Sequence, residues 1–329
     1  MTPARPLASL LLLAYRQQAT IEAAVRGALA QTYSPLEIVI SDDASDDATW
    51  ATIERTLAGY AGPHQVVLNR NPVNLGIGAH VDRLVELSRG ELLFIAAGDD
   101  ISLPERCSRV VAAWIAADRR PDLIATALID MDDRGDTHAT VTPTNLGSYR
   151  DAADWLERPP HVIGAAQAWT RRVFEFFGPL PAGTVAEDLL MVFRAILRGG
   201  AISLDEPMVL YRRGGISRRR RALSAQEVVA RLLKNNRHAL VELPQLLADA
   251  RRAGQLAAVE GALSVRLARE MFVRDIFAAD GVWRRWRTVT SARRVPLGVR
   301  LRIATYAACP GVLGPFFAVM RWAAGRSAR

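Results

Sequence analysis

Three runs in the first hundred residues constrain the fold most tightly: LASLLLLA at 7–14, LEIVIS at 36–41 and ELLFIAAGDD at 91–100. Each holds a short, continuous apolar stretch of strand length, without the alternation that leaves one face of a sheet in water. Between them lie TIEAAVRGALAQ, DATWATIERTLAGY and HVDRLVELSRG, in which apolar residues recur at spacings of three and four, and the short QVVLN adds a further strand. Strands buried on both faces and separated by amphipathic helices predict an α/β, Rossmann-like, mostly parallel sheet flanked by helices. In such sheets ligands bind beyond the carboxyl ends of the strands.

Two of these strands end on acid, SDDASDD at 41–47 and GDD at 98–100. Asp99 and Asp100 follow so apolar a run that full burial would force them to lose charge or find strong compensation. The strand is therefore expected to stop there, with the pair facing a cleft that the first acidic cluster can share. A carboxylate pair at a strand end can hold a divalent cation through hard oxygen ligands and leave room for phosphate oxygens, which suits a diphosphate ligand. Asp46 and Asp47, ahead of ATWATIERTL, read as helix caps instead.

The formal charge of +8 conceals an asymmetry: residues 212–329 hold 24 Arg or Lys against 7 Asp or Glu, whereas the first 211 hold 18 against 27. From about Ser217 the pattern is helical only. Within it, WRRWRTVTSARRVPLGVRLR at 283–302 interleaves tryptophan and arginine, and IATYAACPGVLGPFFAVMRW at 303–322 is apolar. Basic and aromatic surface of this kind suits a peripheral contact with an anionic membrane. Pro310, Gly311, Gly314 and Pro315 break any straight span. The N-terminal apolar run is too short to span, and the Tyr15-Arg16-Gln17 after it does not look like a cleavage site. Two cysteines, Cys107 and Cys309, give neither a disulfide framework nor a zinc cluster, which favours a reducing, cytoplasmic setting. Nucleic acid is not an expected partner: the basic helices lack a recognisable binding motif, and that reading leaves the acidic strand ends unexplained.

The order Ala14-Tyr15-Arg16, Gln31-Thr32-Tyr33, Glu37-Ile38-Val39, Asp42-Asp43-Ala44-Ser45 and Gly90-Glu91 leading to Gly98-Asp99-Asp100 resembles the inverting family 2 glycosyltransferases of GT-A fold, of the bacterial surface-glycan type. So do GAAQAWTRRVFEFFGPLP at 164–181, AEDLLMVFRAILRGG at 186–200 and LYRRGGIS at 210–217. The resemblance covers roughly residues 7–217. It implies a catalytic domain over 1–216, with a nucleotide-binding half at 1–100 and an acceptor half at 101–216. A basic helical region over 217–329 follows.

By the same resemblance, Tyr15 and Asp43 contact the nucleotide base, with Asp42 as a neighbouring candidate, and Asp99 sits near the ribose or sugar diphosphate. Asp100 ligates a divalent metal, Mn2+ or Mg2+, and Asp188 is the general base. The implied reaction moves a sugar from a nucleoside diphosphate donor, a UDP-sugar, to a hydroxyl of a lipid-linked or polysaccharide acceptor with inversion, at the inner face of the cell membrane. Three positions depart from the usual pattern. Ala44 stands where glycine is common, Asp82 where asparagine is common, and no histidine follows Tyr211, so that Arg213 or Arg218 is left to neutralise the diphosphate. Two alternatives remain at this level: a non-catalytic member that only binds sugar nucleotide, and a nucleotidyltransferase on a related fold. The latter would carry a glycine-rich loop after the first strand, where this chain has Ala14-Tyr15-Arg16-Gln17.

Overall fold

The computed structural model describes residues 5–212 and 224–313. These divide into two compact units, one holding residues 5–212 and 249–255 and the other residues 224–248 and 256–313.

The first unit is built on a sheet whose leading half is parallel. Strands β1 (Ala8–Ala14), β2 (Leu36–Asp42), β3 (Gln65–Arg70) and β4 (Leu92–Ala97) alternate with helices α1 (Ile21–Leu29), α2 (Thr49–Leu57) and α3 (Ile77–Leu87). β1 is flanked by β2 and β4, both parallel to it, with Ala14 level with Asp42 and Leu13 level with Ala97. β3 lies on the outer side of β2. β1, β2 and β4 are buried along nearly their whole length, and the half-buried β3 sits at the edge. That contrast matches the unbroken apolar runs of the first three and the mixed QVVLNR of the fourth.

The trailing half is mixed. β5 (Ile101–Ser102), α4 (Arg106–Ala116), β6 (Leu123–Met131), β7 (Thr137–Val141), α5 (Ala152–Glu157), β8 (Gln167–Thr170), α6 (Arg171–Phe177), α7 (Glu187–Leu197) and β9 (Ala201–Arg212) complete the unit. β8 runs antiparallel between β4 and β6, while β6 and β9 are parallel and β5 is antiparallel to β9. The sheet order is β3-β2-β1-β4-β8-β6-β9-β5, with β7 beside β6. The expected parallel sheet thus describes β1 to β4, and the later strands join it in both directions.

At the amino ends of the strands Glu37 is buried and accepts hydrogen bonds from Ser9 Oγ, 2.6 Å, and from Gly90 N, 3.1 Å. A Cβ on Gly90 would collide with Ser9, so the residue before Glu91 has no room for a side chain.

Residues 249–255 belong to this first unit although they lie within the helical tail. Asp249 meets Arg194 of α7 at 2.8 Å, Arg252 Nη1 donates to the Phe177 carbonyl, and Gln255 accepts from Ala152 N while donating to the Leu197 carbonyl.

The second unit contains α8 (Ala225–Arg252) up to residue 248, α9 (Leu256–Ala278), α10 (Gly281–Ser291) and α11 (Leu297–Ala308). Its core gathers Phe272, Val273, Ile276, Val289, Val295 and Ile303, and Asn236 Nδ2 ties α8 to α9 by donating to the Glu270 carbonyl. No helix among the described residues is long and apolar enough to cross a membrane. Residues 314–322 of the apolar C-terminal stretch lie outside the described residues.

Candidate active site

Continued by one and two residues, the register of β1, β2 and β4 sets Tyr15 level with Asp43 on one side and with Asp99 on the other, just beyond three neighbouring strand ends. The two acidic clusters therefore meet at the same edge of the sheet. The loop after β1 joins them: Gln17 Nε2 donates to Asp99 Oδ1 at 3.0 Å, Thr20 Oγ1 donates to the Gly98 carbonyl at 2.9 Å, and Gln17 N donates to Thr49 Oγ1 at 2.8 Å. Gly98 leaves room for this contact, since a Cβ there would displace the Gln17 amide and the end of the Ile21 side chain. Tyr15 is 41 % exposed, with the Arg16 guanidinium 5.2 Å from its ring centre, so a flat aromatic face borders the cleft. Arg16 has φ 52° and pairs through two hydrogen bonds with Asp46. A non-glycine residue in the left-handed region is strained, and such strain gathers at ligand sites.

Asp42 and Asp43 are buried and turned to different tasks. Asp42 accepts from Ser45 N and Ser45 Oγ and pairs with Arg70 at 3.3 Å, closing the turn that follows β2. Asp43 Oδ1 accepts from Asn71 Nδ2 and Leu75 N, and its Oδ2 from Gly76 N, which fixes the loop 71–76 over the strand end. Behind Asp43 a buried chain continues: Asn69 Nδ2 donates to Asn71 Oδ1 and Ser41 Oγ, and Ser41 Oγ lies 2.7 Å from His80 Nε2. Burial holds the His80 imidazole below its ordinary pKa. An ionised carboxylate offers about four lone-pair sites, so Oδ2 of Asp43 keeps capacity for a further donor. Neither Asp46 nor Asp47 holds the N-cap position of α2, which is Ala48: Asp47 accepts from Thr49 N one residue ahead of it, and Asp46 is engaged by Arg16.

Beyond Ala97 the chain turns, and Asp99 and Asp100 occupy the turn. Asp100 is nearly buried, and its Oδ1 accepts from Arg212 N at 2.8 Å. The antiparallel pairing of β5 with β9, Ile101 level with Leu210, sets up that bond. Arg212 also donates to the carbonyls of Asp99 and Asp132. Arg213 and Arg218, the expected diphosphate partners, lie outside the described residues. Burial raises the Asp99 carboxyl above its ordinary range, and Asp100 is pushed up to about 8 by burial and then by the charge of Asp99.

Sequence reasoning passed over the residue beneath this pair. Arg106 is fully buried at the start of α4, where Nη1 donates to Ser102 Oγ and Nη2 to the carbonyls of Ile95 and Gln167. Burial lowers its guanidinium to about 10, and its Nε has no hydrogen-bond partner. One signal was available: Arg106, Val110 and Trp114 fall at helical spacing on the buried face of α4, a place where arginine needs a reason.

Asp188 is the second residue of α7 and half-buried, and its Oδ1 accepts from Leu189 N. Gly164 packs against this helix start, since a Cβ there would come 3.0 Å from Glu187 Oε1 and 3.4 Å from Asp188 Cβ. Gln167 of β8 is the tie to the carboxylate pair. Its carbonyl accepts from Arg106, and its Nε2 lies 3.5 Å from the Asp188 carbonyl. Tyr15, Asp42, Asp43, Asp99 and Asp100 thus share one edge of the parallel strands, while Asp188 is connected to β4 through its backbone carbonyl, Gln167 and Arg106.

The sequence profile described as Glycosyl transferase family 2 matches residues 9–177, half of the chain and all four parallel strands. The chain belongs to that family. Its fold is the GT-A fold. Among relatives, it is 25 % identical over 139 residues to the putative glycosyltransferase EpsE of Bacillus subtilis, an alignment spanning 42 % of this chain and 49 % of EpsE. It is 36 % identical over 222 residues to the uncharacterized protein Rv1520 of Mycobacterium tuberculosis, across 62 % of this chain and 58 % of the other. The chain therefore spans about half the length of these relatives. Over 105 residues it is 28 % identical to WfaP of Escherichia coli, a UDP-Glc:alpha-D-GlcNAc-diphosphoundecaprenol beta-1,3-glucosyltransferase, across 32 % of this chain and 40 % of WfaP. In fold it is similar to S. aureus TarS 1-349 in complex with UDP-GlcNAc, at TM-score 0.57 and 14 % identity, covering 92 % of this chain and 87 % of that one. It is also similar to the mannosyltransferase PcManGT of Pyrobaculum calidifontis in complex with GDP-Man and Mn2+, at TM-score 0.51 and 18 % identity, over 94 % and 87 %.

A divalent cation fits the residues present. Among the described residues no three His, Cys, Asp or Glu side chains gather to hold a metal ion. Mg2+ and Mn2+ sites at phosphates ordinarily take only one or two carboxylates, the remaining ligands being phosphate oxygens and water. Asp99 and Asp100 supply hard oxygens whose mutual repulsion a cation would relieve.

Proposed function

We propose that this glycosyltransferase moves a sugar from a nucleoside diphosphate donor, a UDP-sugar, to a hydroxyl of a lipid-linked or polysaccharide acceptor, with inversion and with help from a divalent metal. The observation that carries the reading is the loop after β1, where Gln17 Nε2 donates to Asp99 and Arg16 N to Ser45 Oγ, so that one loop touches both acidic segments. The substrates named for WfaP, a UDP-sugar and a diphosphoundecaprenol-linked glycan, support the donor and acceptor classes.

Tyr15 offers its exposed ring for stacking against the base, and Asp43 Oδ2 accepts an N–H from the base edge. Asp42 works one step behind, holding the turn that orients Asp43. Asp99, steadied by Gln17, faces the ribose or the sugar diphosphate. Asp100, with Asp99 beside it, would hold the cation. Bound there, that cation would neutralise charge gathering on the departing diphosphate. Asp188 takes the proton of the acceptor hydroxyl as its oxygen bonds to the anomeric carbon from the face opposite the diphosphate. The bond from that carbon to the diphosphate oxygen breaks in the same displacement, so the configuration inverts and no covalent enzyme intermediate forms. Work on a lipid-linked acceptor sets the enzyme at the inner face of the cell membrane.

Calorimetric titration of UDP, GDP and dTDP, with and without manganese, into the parent protein and Asp100→Ala tests the donor site. Tight binding of UDP that needs both the metal and Asp100 is expected. Failure of all three nucleotides to bind under any condition would sink the reading and leave a non-catalytic member.

A further inference from the structure

The second unit carries a surface that sugar transfer does not use. On α10, Val282, Trp283 and Trp286 are 83 %, 81 % and 60 % exposed, while Val289 is buried in the unit's core. At about 100° per residue, Val282, Trp286, Thr290 and Trp283 fall within one arc of about 100°. The buried Val289 and then Arg285 flank that arc on one side, and Arg287 flanks it on the other with Arg284 beyond. Leu297 and Leu301, one turn apart on α11, are also exposed. From Gly281 to Ala308 the chain has seven arginines and no acidic residue. Exposed tryptophan is costly in water unless it has somewhere to go, and two on one short helix, ringed by arginine, are an unfinished interface.

We propose that the Val282, Trp283 and Trp286 face of α10 lies in the interfacial layer of an anionic phospholipid membrane, with the arginines paired to lipid phosphates. The charge argues for this occupant. A second copy of the chain would set the exposed Arg284 and Arg287 of α10 against their own copies, whereas an anionic leaflet attracts them. The amphipathic rings of tryptophan settle at the depth where headgroups meet acyl chains. With eleven residues and arginine on both borders, α10 is suited to lie along the surface and not to cross it. The inference deepens the reading that the acceptor is lipid-linked, since it names the surface that would bring the enzyme to its substrate.

The test is co-sedimentation of the full chain with vesicles of phosphatidylglycerol and phosphatidylcholine in equal parts, against vesicles of phosphatidylcholine alone. It needs neither donor nor acceptor, so its outcome is separate from that of the nucleotide titration. Binding to the anionic vesicles that weakens with salt is expected. Trp283→Ser with Trp286→Ser, and separately Arg284→Gln with Arg287→Gln, should each lower it by about tenfold. These side chains are exposed, and circular dichroism of each variant checks that the helices persist. Absence of vesicle binding overturns the proposal, as does binding that the tryptophan pair leaves unchanged. A dimer in light scattering that the tryptophan variant dissociates overturns it in favour of a second copy.

Discussion

Asp249→Ala removes the carboxylate that faces Arg194, and the size of the effect follows from where the two side chains sit. Arg194 is 0 % and Asp249 2 % exposed, at 2.8 Å. Arg194 also donates to the carbonyls of Gly178 and Pro179, and its guanidinium lies 5.4 Å from the Phe177 ring centre. Neutral carbonyls satisfy its N–H groups without cancelling its charge. Breaking one side of a buried ion pair costs about 3–5 kcal/mol, because the survivor stays desolvated. In a unit of this size each kcal/mol moves the melting temperature by about 2–4 °C, so the loss is on the order of 10 °C. Thermal and urea unfolding of Asp249→Ala should be run beside Arg194→Met with Asp249→Leu. The double variant removes both charges and keeps the volume, so it should recover most of the stability. A single variant within about 1 kcal/mol of the parent would refute the reasoning, since that is the behaviour of an exposed pair.

Asp188→Asn should lower turnover by about 10²–10⁴-fold with nucleotide affinity retained, read by product formation and calorimetry together. Burial raises Asp82 to about 6 while Leu180 N donates to both its oxygens. Below about 4 both folded and unfolded chains hold that proton. Between there and 6 only the unfolded chain releases it, so this group makes stability fall as pH rises through that window. Asp82→Asn should flatten that slope and gain about 1 kcal/mol at neutral pH, a figure reduced for the partial exposure of the site; an unchanged stability profile from pH 4 to 7 would count against it. Ala44 has φ 59°, where a Cβ costs about 1–2 kcal/mol and glycine's extra chain entropy about 0.5–1, so Ala44→Gly should stabilise modestly in denaturant titration. Gly98→Ala should displace Gln17 and weaken UDP binding at least as much as Gln17→Ala does.

The parallel half of the sheet was legible because strands buried on both faces have to be written as unbroken apolar runs, and β1, β2 and β4 are. The convergence of Asp43 with Asp99 and Asp100 was legible for the same reason, since neighbouring parallel strands here end within one residue of each other. Ala44 shows the local rule as well: a left-handed turn residue is the kind of position where glycine is common, and the structure gives the φ that explains it. The mixed half was not legible. β8 is four residues long and β5 two, too few to display a period, and β9 runs through Asp205, Glu206 and Pro207 with a shifted register against β6. Their pairings are set by partners far along the chain. Asp99 and Asp100 stood out by contrast with the strand before them, whereas Gln17 and Gln167 are ordinary polar residues until their partners are known.

The same limit accounts for the return of residues 249–255 to the first unit. A change in composition near residue 216 reads as a boundary, and the helices after it do form their own core. What composition cannot express is a contact between one arginine and one aspartate 55 positions apart. Yet that contact sits on α7, six residues after Asp188, and the same helix receives Gln255 at the Leu197 carbonyl. A chain cut after residue 216 would keep every proposed catalytic group and lose the acid that neutralises Arg194. The helix that begins with the proposed base would then start from an uncompensated core. The first unit is therefore finished by a segment that its own sequence motifs do not include, and a chain cut after residue 216 should unfold at a lower temperature than one that keeps those seven residues.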